Sequence, residues 1–137
     1  MGANSNAVRR FYDAYNRRDW NAVVELLDQD VEWFHTARDE HVCGVDAVVA
    51  LVKSTADAFP DARVQILTIH EAGDFVIAEC VLARGGGRLK ALHKASFCEI
   101  SQFRDGRCVR GSTYADTLRV LLELGSPRDY LAPTGTD

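Results

Sequence analysis

The sequence lacks the features that would direct it to a membrane, to the cell exterior or to nucleic acid. Its 16 Lys and Arg are outnumbered by 20 Asp and Glu, for a formal net charge of −4, and they form no basic cluster for phosphate groups. The longest apolar stretch, residues 47–52, is far shorter than the roughly twenty residues that span a bilayer. The first six residues have neither the basic nor the apolar region of a signal peptide. We therefore expect a cytoplasmic protein with no nucleic-acid or membrane partner.

Metal and redox motifs are also missing. The four cysteines, Cys43, Cys80, Cys98 and Cys108, show no C-x-x-C spacing and have no histidine at zinc-finger distance. The glycine run at 85–87 lacks the Lys-Ser/Thr ending of a phosphate-binding loop. We expect reduced, mostly buried thiols, no metal and no cofactor.

What the chain does contain is ordinary for a soluble protein of one domain. Of its 137 residues, 47% are apolar and 26% charged, which is typical of a globule with a substantial core. We expect a single domain over residues 1–137, with a core of about 6–125. The segment 126–137 contains two of the three prolines and is expected to be a loosely ordered tail.

Helical periodicity recurs three times in the first sixty residues. Apolar residues share one face over 8–15, which predicts a first helix. Asp19 is a favourable N-cap for a second, shorter helix. A third amphipathic helix follows Gly44 and ends at Pro60, because proline cannot continue a helix.

Elsewhere the period is two, as in a strand. Val31, Trp33 and His35 point the same way in a short strand between the second and third helices. A final helix is predicted over Thr117–Leu124, with Gly125 as its C-terminal stop. Four further strands with short connections are expected to pair antiparallel: Arg63–His70, Phe75–Ala83, Arg88–Phe103 and Cys108–Ala115.

The last hairpin predicts which residues face inward. A tight turn at Asp105-Gly106 would pair Arg104 with Arg107, and Glu99 would then lie opposite Ser112. Cross-strand partners share a face, and the more aromatic face is expected to be the interior. That face comprises Phe97, Glu99, Ser101, Phe103, Arg110, Ser112 and Tyr114.

These elements predict an α+β fold. A curved antiparallel β-sheet wraps around three N-terminal helices in a cone, and the space between sheet and helices is an internal pocket. The three helices can cover one face of the sheet only. We expect the other face to pack against a second copy in a homodimer.

Several segments are similar to a known family. They are F-Y-D-A-Y-N-R-R-D-W at 11–20, D-V-E-W-F-H at 30–35, G-V-D-A-V at 44–48, F-R-D-G-R at 103–107 and Y-A-D-T-L-R-V-L-L-E-L-G at 114–125. In this order and spacing they resemble the SnoaL-like polyketide cyclases of the nuclear transport factor 2-like superfamily. The resemblance covers about residues 6–125 and implies the same cone, commonly as a dimer. The superfamily includes cyclases, isomerases, dehydratases and non-catalytic binding proteins.

The resemblance also implies roles for three residues. Asp116 matches the aspartate that precedes the last helix in SnoaL-like cyclases, a candidate general base. His35 is similar in position to the carboxylate base of ketosteroid isomerases, and Glu99 to their oxyanion-binding acid. The tyrosine that those isomerases carry on their first helix has no counterpart, since Phe11 fills its place.

Each candidate has a structural alternative as well. His35 can act as acid and base near neutral pH, or it can be a hydrogen-bonded core histidine. Asp116 can be a base or only a helix cap. Glu99 can be a general acid or the ion-pair partner of Arg110. The expected substrate-binding residues of the pocket are Tyr15, Trp33, Phe97, Arg110, Ser112 and Tyr114.

Two functions fit this pattern. The first is a cofactor-independent acid–base enzyme of the cyclase, isomerase or dehydratase (lyase) type, acting on a small, largely apolar carbonyl compound in secondary metabolism. The second is a non-catalytic module of the same fold that binds a small molecule or pairs with another protein.

Overall fold

The computed structural model describes residues 2–84 and 93–119. The helices are α1 (Ala3–Arg17), α2 (Trp20–Glu25), α3 (Val45–Ala58) and the short α4 (Thr117–Arg119), and a 3-10 turn spans Thr36–Arg38. The strands are β1 (Leu27–His35), β2 (Glu40–Cys43), β3 (Arg63–Ala72), β4 (Phe75–Arg84), β5 (His93–Arg104) and β6 (Arg107–Ala115). The α+β fold expected from the sequence is confirmed.

The six strands form one sheet in the order β2-β1-β6-β5-β4-β3. All neighbours are antiparallel except β1 and β6, which run parallel. The sheet is therefore mixed rather than purely antiparallel. Strand β2 was not expected, because four residues of alternating burial give too weak a signal in the sequence. It pairs with the end of β1 and forms one edge of the sheet.

The helices cover one face of this sheet. Helix α1 buries an apolar stripe that includes Val8, Phe11 and Tyr15, as the periodicity predicts. Asn16 fixes the helix to β3, since its side chain accepts a hydrogen bond from the Val64 backbone N–H and donates one to the Val64 carbonyl, both at 2.8 Å. Two such bonds hold the relative height of helix and strand.

The starts of α1 and α2 are stabilised differently. Asp19 caps α2 by accepting from the Ala22 backbone N–H at 3.2 Å, as expected. Helix α1 is capped from outside, because the Glu71 carboxylate of β3 accepts from the Ser5 backbone N–H at 2.8 Å and from the Ser5 hydroxyl at 2.6 Å. These bonds lower the pKa of Glu71 and anchor the beginning of α1 to the sheet.

The predicted register of the last hairpin was wrong for most of its length. Arg104 pairs with Arg107 and Phe103 with Cys108, as predicted, but Gln102 pairs with Arg110, so Val109 is the extra residue of a β-bulge. Glu99 therefore lies opposite Thr113. A shift of one residue reverses the face of every side chain beyond it.

Because of this bulge, three predicted binding residues do not face the pocket. Arg110, Ser112 and Tyr114 lie on the outer face of the sheet, and Tyr114 is 50% exposed. Thr113 and Ala115, which were expected outside, line the interior instead. The choice of the more aromatic face was right for β5, whose Phe97 and Glu99 line the cavity, and the bulge is what places the β6 residues on the other side.

The cysteines are free thiols, as expected, and several predicted segments lie outside the described residues. Of the four, Cys80 and Cys108 are buried, and Cys43 is exposed. The expected helix Thr117–Leu124 is described as far as Arg119, and the rest of it, the tail at 126–137 and the glycine run at 85–87 lie outside the described residues. No helix within residues 2–84 and 93–119 is long and apolar enough to cross a membrane.

Candidate active site

A cavity lies between the concave face of the sheet and helices α1 and α3 and opens to solvent. Clefts of this kind, lined mainly by apolar side chains, commonly bind small organic molecules. Aliphatic side chains from α3 and the central strands form part of the wall. Its aromatic residues are Phe11, Tyr12, Tyr15, Trp33 and Phe97. A largely apolar ligand with few polar groups fits such a wall.

Trp33 is held from three sides. Its ring stacks on Phe11 with an interplanar angle of 9° and 6.2 Å between centroids, and its indole N–H donates to the Thr113 hydroxyl at 2.9 Å. Gly111 pairs with Trp33 across β1 and β6. A Cβ added at Gly111 would lie 2.3 Å from the ring, so only glycine leaves room for the indole there.

Glu99 is the buried carboxyl group of the cavity, and it is only 5% exposed. Burial raises the pKa of Glu99 to about 7, against the opposite effect of hydrogen bonds from Tyr12 and Ser101. The Tyr12 hydroxyl donates to Oε2 and the Ser101 hydroxyl to Oε1, the latter at 3.3 Å. Near neutral pH, a large fraction of Glu99 therefore carries a proton that it can donate.

Tyr12 corrects the expectation that helix α1 carries no tyrosine at this place. Its side chain lines the cavity beside Phe11 and donates to Glu99. Burial, and next the Glu99 carboxyl group, raise the pKa of Tyr12, so the phenol keeps its proton. In the sequence, Phe11 and Tyr12 both fall within the apolar stripe, and periodicity alone does not distinguish them.

His35 lies at the end of β1 with its side chain in the same cavity. It is buried together with Val31 and Trp33, which confirms the predicted alternation. Burial and then the positive charge of Arg38 lower the pKa of His35 to about 4. The imidazole is therefore neutral at pH 7 and able to accept a proton.

Arg38 contributes to the electrostatics of the site, and the sequence did not indicate it. It lies in the 3-10 turn after β1, where its guanidinium donates from Nη1 to the Ser54 hydroxyl at 2.7 Å. Its Nε lies 3.7 Å from Glu40 Oε2. A buried arginine three residues after a strand has no recognisable pattern, because its burial depends on the packing of α3 against β1. Its charge nevertheless adds to the effect of burial in lowering the pKa of His35.

The other predicted residues divide into two groups. Tyr15 and Phe97 line the cavity, so the structure brings them together with His35, Glu99 and Trp33. Asp116 follows β6 with an exposed side chain, and it is not among the described residues that line the cavity. Its backbone N–H donates to the Ser96 carbonyl at 3.0 Å.

Among the described residues that line the cavity, two are of the His, Cys, Asp or Glu types that bind Zn²⁺, His35 and Glu99. Protein sites for Zn²⁺ use three or four such ligands, and the described lining of this cavity provides fewer. Two titratable groups with pKa values moved in opposite directions are instead typical of an acid and a base that act together.

A curved sheet closed by helices around such a pocket defines the ketosteroid isomerase-like, or nuclear transport factor 2-like, fold. Within it, the chain belongs to the family of the SnoaL-like domain, which matches residues 8–111. The family resemblance seen in the sequence is confirmed. No protein with a curated description matches the chain.

Solved structures are similar over nearly the whole chain. IdmH from Streptomyces antibioticus, described as a candidate polyketide cyclase, is 25% identical, with a TM-score of 0.74 over 89% of this chain and 98% of its own. A loop-truncated variant of IdmH is 28% identical, with a TM-score of 0.75 over 89% and 99%. A protein from Catenulispora acidiphila with a ketosteroid isomerase-like fold, solved with trimethylamine, is 20% identical, with a TM-score of 0.76 over 90% and 95%. At that identity the last shows the fold alone.

Proposed function

We propose that this protein is a cofactor-independent acid–base enzyme that forms and uses an enolate of a small, largely apolar carbonyl compound. The observation that carries the proposal is the pair of buried groups in one cavity, a neutral His35 and a Glu99 whose pKa is about 7. The description of IdmH as a candidate polyketide cyclase supports ring closure in secondary metabolism as the reaction.

The two groups have complementary tasks. His35 removes a proton from the carbon next to a carbonyl group, and the electron pair moves to the carbonyl oxygen. A base with a pKa of about 4 is weak, so the developing enolate needs strong stabilisation. The protonated Glu99 supplies it by donating a hydrogen bond to that oxygen, while Tyr12 holds the carboxyl group in place.

The enolate carbon can then attack a second carbonyl of the same molecule. The new carbon–carbon bond closes a ring, and the second oxygen takes the proton that His35 removed, which gives a hydroxyl group and returns His35 to its neutral form. Return of a proton to a different carbon would give an isomerase instead. The aromatic wall around Trp33 and Phe97 would hold the flexible substrate in a folded conformation.

Proton abstraction can be tested before the natural substrate is known. The probe is an aryl ketone chosen because it raises the melting temperature of the protein. It is incubated with the protein in D₂O, and exchange of the proton on the carbon next to the carbonyl group is followed by NMR. We expect exchange that falls about 10²–10⁴-fold in His35→Ala and in Glu99→Gln, with ketone affinity retained.

Asp116→Asn is the matched control, because its side chain is exposed outside the cavity. Ketones that bind equally well to all variants without any exchange above background would contradict the enzyme and favour the alternative function, a non-catalytic binding module. Mass spectrometry of a ligand that copurifies with the protein would identify the substrate class.

We also propose that the protein is a homodimer through the outer face of the sheet. Phe75, Ile77 and Tyr114 are 44%, 37% and 50% exposed on that face, away from the helices that cover the other. Apolar surface of this kind is commonly buried between copies related by a two-fold axis. Sedimentation of a 15.2 kDa species at tens of micromolar protein would contradict the dimer.

A further inference from the structure

Three side chains of metal-binding type meet on the outer face of the sheet, at the edge formed by β2. Glu32 lies directly opposite Cys43, and Phe34 lies opposite His41. Because strand side chains alternate and Trp33 points into the cavity, these four side chains point away from it. They are thus separate from the candidate active site.

The distances between the three potential ligand atoms are short. His41 Nε2 lies 3.3 Å from Glu32 Oε1 and 3.5 Å from Cys43 Sγ. Cys43 Sγ lies 4.0 Å from Glu32 Oε1. Among the residues of 2–84 and 93–119, these three form a group in which all ligand atoms lie within 4.8 Å of one another.

These distances match those around a tetrahedral Zn²⁺ ion. Bond lengths of about 2.3 Å to sulfur, 2.05 Å to nitrogen and 2.1 Å to oxygen imply separations of about 3.4 Å for N and O and about 3.6 Å for N and S and for O and S. The structure differs from these values by about 0.1, 0.1 and 0.4 Å. Small side-chain rotations can remove the largest difference.

The backbone and a neighbouring ring hold the ligands in this arrangement. Phe34 stacks on the His41 imidazole, with 4.1 Å between centroids and an interplanar angle of 4°. Directly after Cys43, the Gly44 backbone N–H donates to the Val31 carbonyl at 2.8 Å, which anchors the end of β2. The Glu32 and His41 side chains are 43% and 46% exposed, so water can reach a fourth coordination position.

The chemistry of the ligands selects the ion. A thiolate and a carboxylate together neutralise a divalent cation, and sulfur and imidazole ligands favour Zn²⁺ over Mg²⁺ or Ca²⁺. We propose that Glu32, His41 and Cys43 bind one Zn²⁺ ion per chain, with water as the fourth ligand. The ion ties edge strand β2 to β1 and stabilises the hairpin whose first strand carries His35.

Cobalt titration of tag-free, reduced protein tests the ligand set directly, because tetrahedral Co²⁺ shows strong visible bands and a near-ultraviolet charge-transfer band when bound to thiolate. We expect both bands to saturate at one Co²⁺ per chain and to disappear when Zn²⁺ is added. Absence of the charge-transfer band, or saturation at half an ion per chain, would overturn the proposal.

Variants separate this site from unspecific binding. Loss of an outer-shell group already weakens metal binding about 10–100-fold, so Cys43→Ser and His41→Gln should each weaken Zn²⁺ binding by at least that much. The matched controls are Cys98→Ser on β5 and His70→Gln on β3, which lie outside the cluster. Equal weakening in the controls would contradict the assignment.

Thermal unfolding provides a measurement that does not depend on colour. At a Zn²⁺ concentration near 100 times the dissociation constant, we expect the melting temperature of the wild type to rise by at least about 5 °C. Cys43→Ser, with an unchanged metal-free melting temperature, should show no rise. A wild-type melting temperature that does not respond to Zn²⁺ would overturn the proposed link between the two strands.

Discussion

The free energy of unfolding should depend on pH through two buried groups with opposite effects. The pKa of His35 is lowered from 6.5 to about 4, so between these values the unfolded chain binds more protons and stability falls as the pH falls. The pKa of Glu99 is raised from 4.5 to about 7, so the folded protein binds more protons there and stability falls as the pH rises. Between pH 4.5 and 6.5 the two contributions cancel.

Substitution of one group removes its contribution, so the difference from wild type measures that contribution. In Glu99→Gln the His35 contribution is no longer offset, so we expect the free energy of unfolding to fall by about 2 kcal/mol, relative to wild type, from pH 6.5 to 4.5. His35→Gln should give the reverse, a loss of about 2 kcal/mol from pH 4.5 to 6.5. Neither residue is among the causes of the other's shift, so the two substitutions act independently.

Urea unfolding, followed by tryptophan fluorescence and by circular dichroism at half-unit pH steps and constant ionic strength, measures these slopes. All other titrating groups are common to the three proteins, so the difference from wild type isolates His35 or Glu99. A Glu99→Gln profile parallel to that of the wild type would refute the raised pKa of Glu99, and a parallel His35→Gln profile would refute the assignment of His35 as a group held neutral by burial. Agreement of the two probes establishes that unfolding is two-state.

Three further predictions concern catalysis and packing. The ketone exchange rate should be highest between about pH 4 and pH 7, where His35 is neutral and Glu99 protonated; activity that increases through pH 9 would contradict this pairing. Tyr12→Phe removes a hydrogen bond that lowers the pKa of Glu99. The alkaline limb of the pH–rate profile should therefore move to higher pH, and kcat should fall about 10²–10³-fold. An unchanged alkaline limb would mean that Tyr12 and Glu99 are not coupled. Gly111→Ala forces the Trp33 ring to move, so it should lower the free energy of unfolding by about 1–3 kcal/mol and change tryptophan fluorescence. An unaltered spectrum and melting temperature would show that the cavity wall beside Trp33 has room for a methyl group.

Much of the fold could be predicted because local patterns decide it. The stripe of α1, the N-cap at Asp19 and the alternation of Val31, Trp33 and His35 depend only on neighbours in the chain. The order of the family segments adds the arrangement of these elements. His35 and Glu99 were both predicted as candidates, because each falls on the inward side of a predicted strand and because the family resemblance places them at the positions of the base and the acid of ketosteroid isomerases.

What the sequence determined by itself was most of the helices and strands, the family, and half of the predicted binding residues, Tyr15, Trp33 and Phe97, because hydrophobic periodicity reports which face of an element is buried. What only the tertiary structure decided was the contact between elements. The bulge at Val109 reversed the face of β6, and long-range packing brought Tyr12 to Glu99 across 87 residues. The strength of Glu99 as an acid and the meeting of Glu32 with Cys43 depend on burial and strand register, which arise only when distant segments pack together.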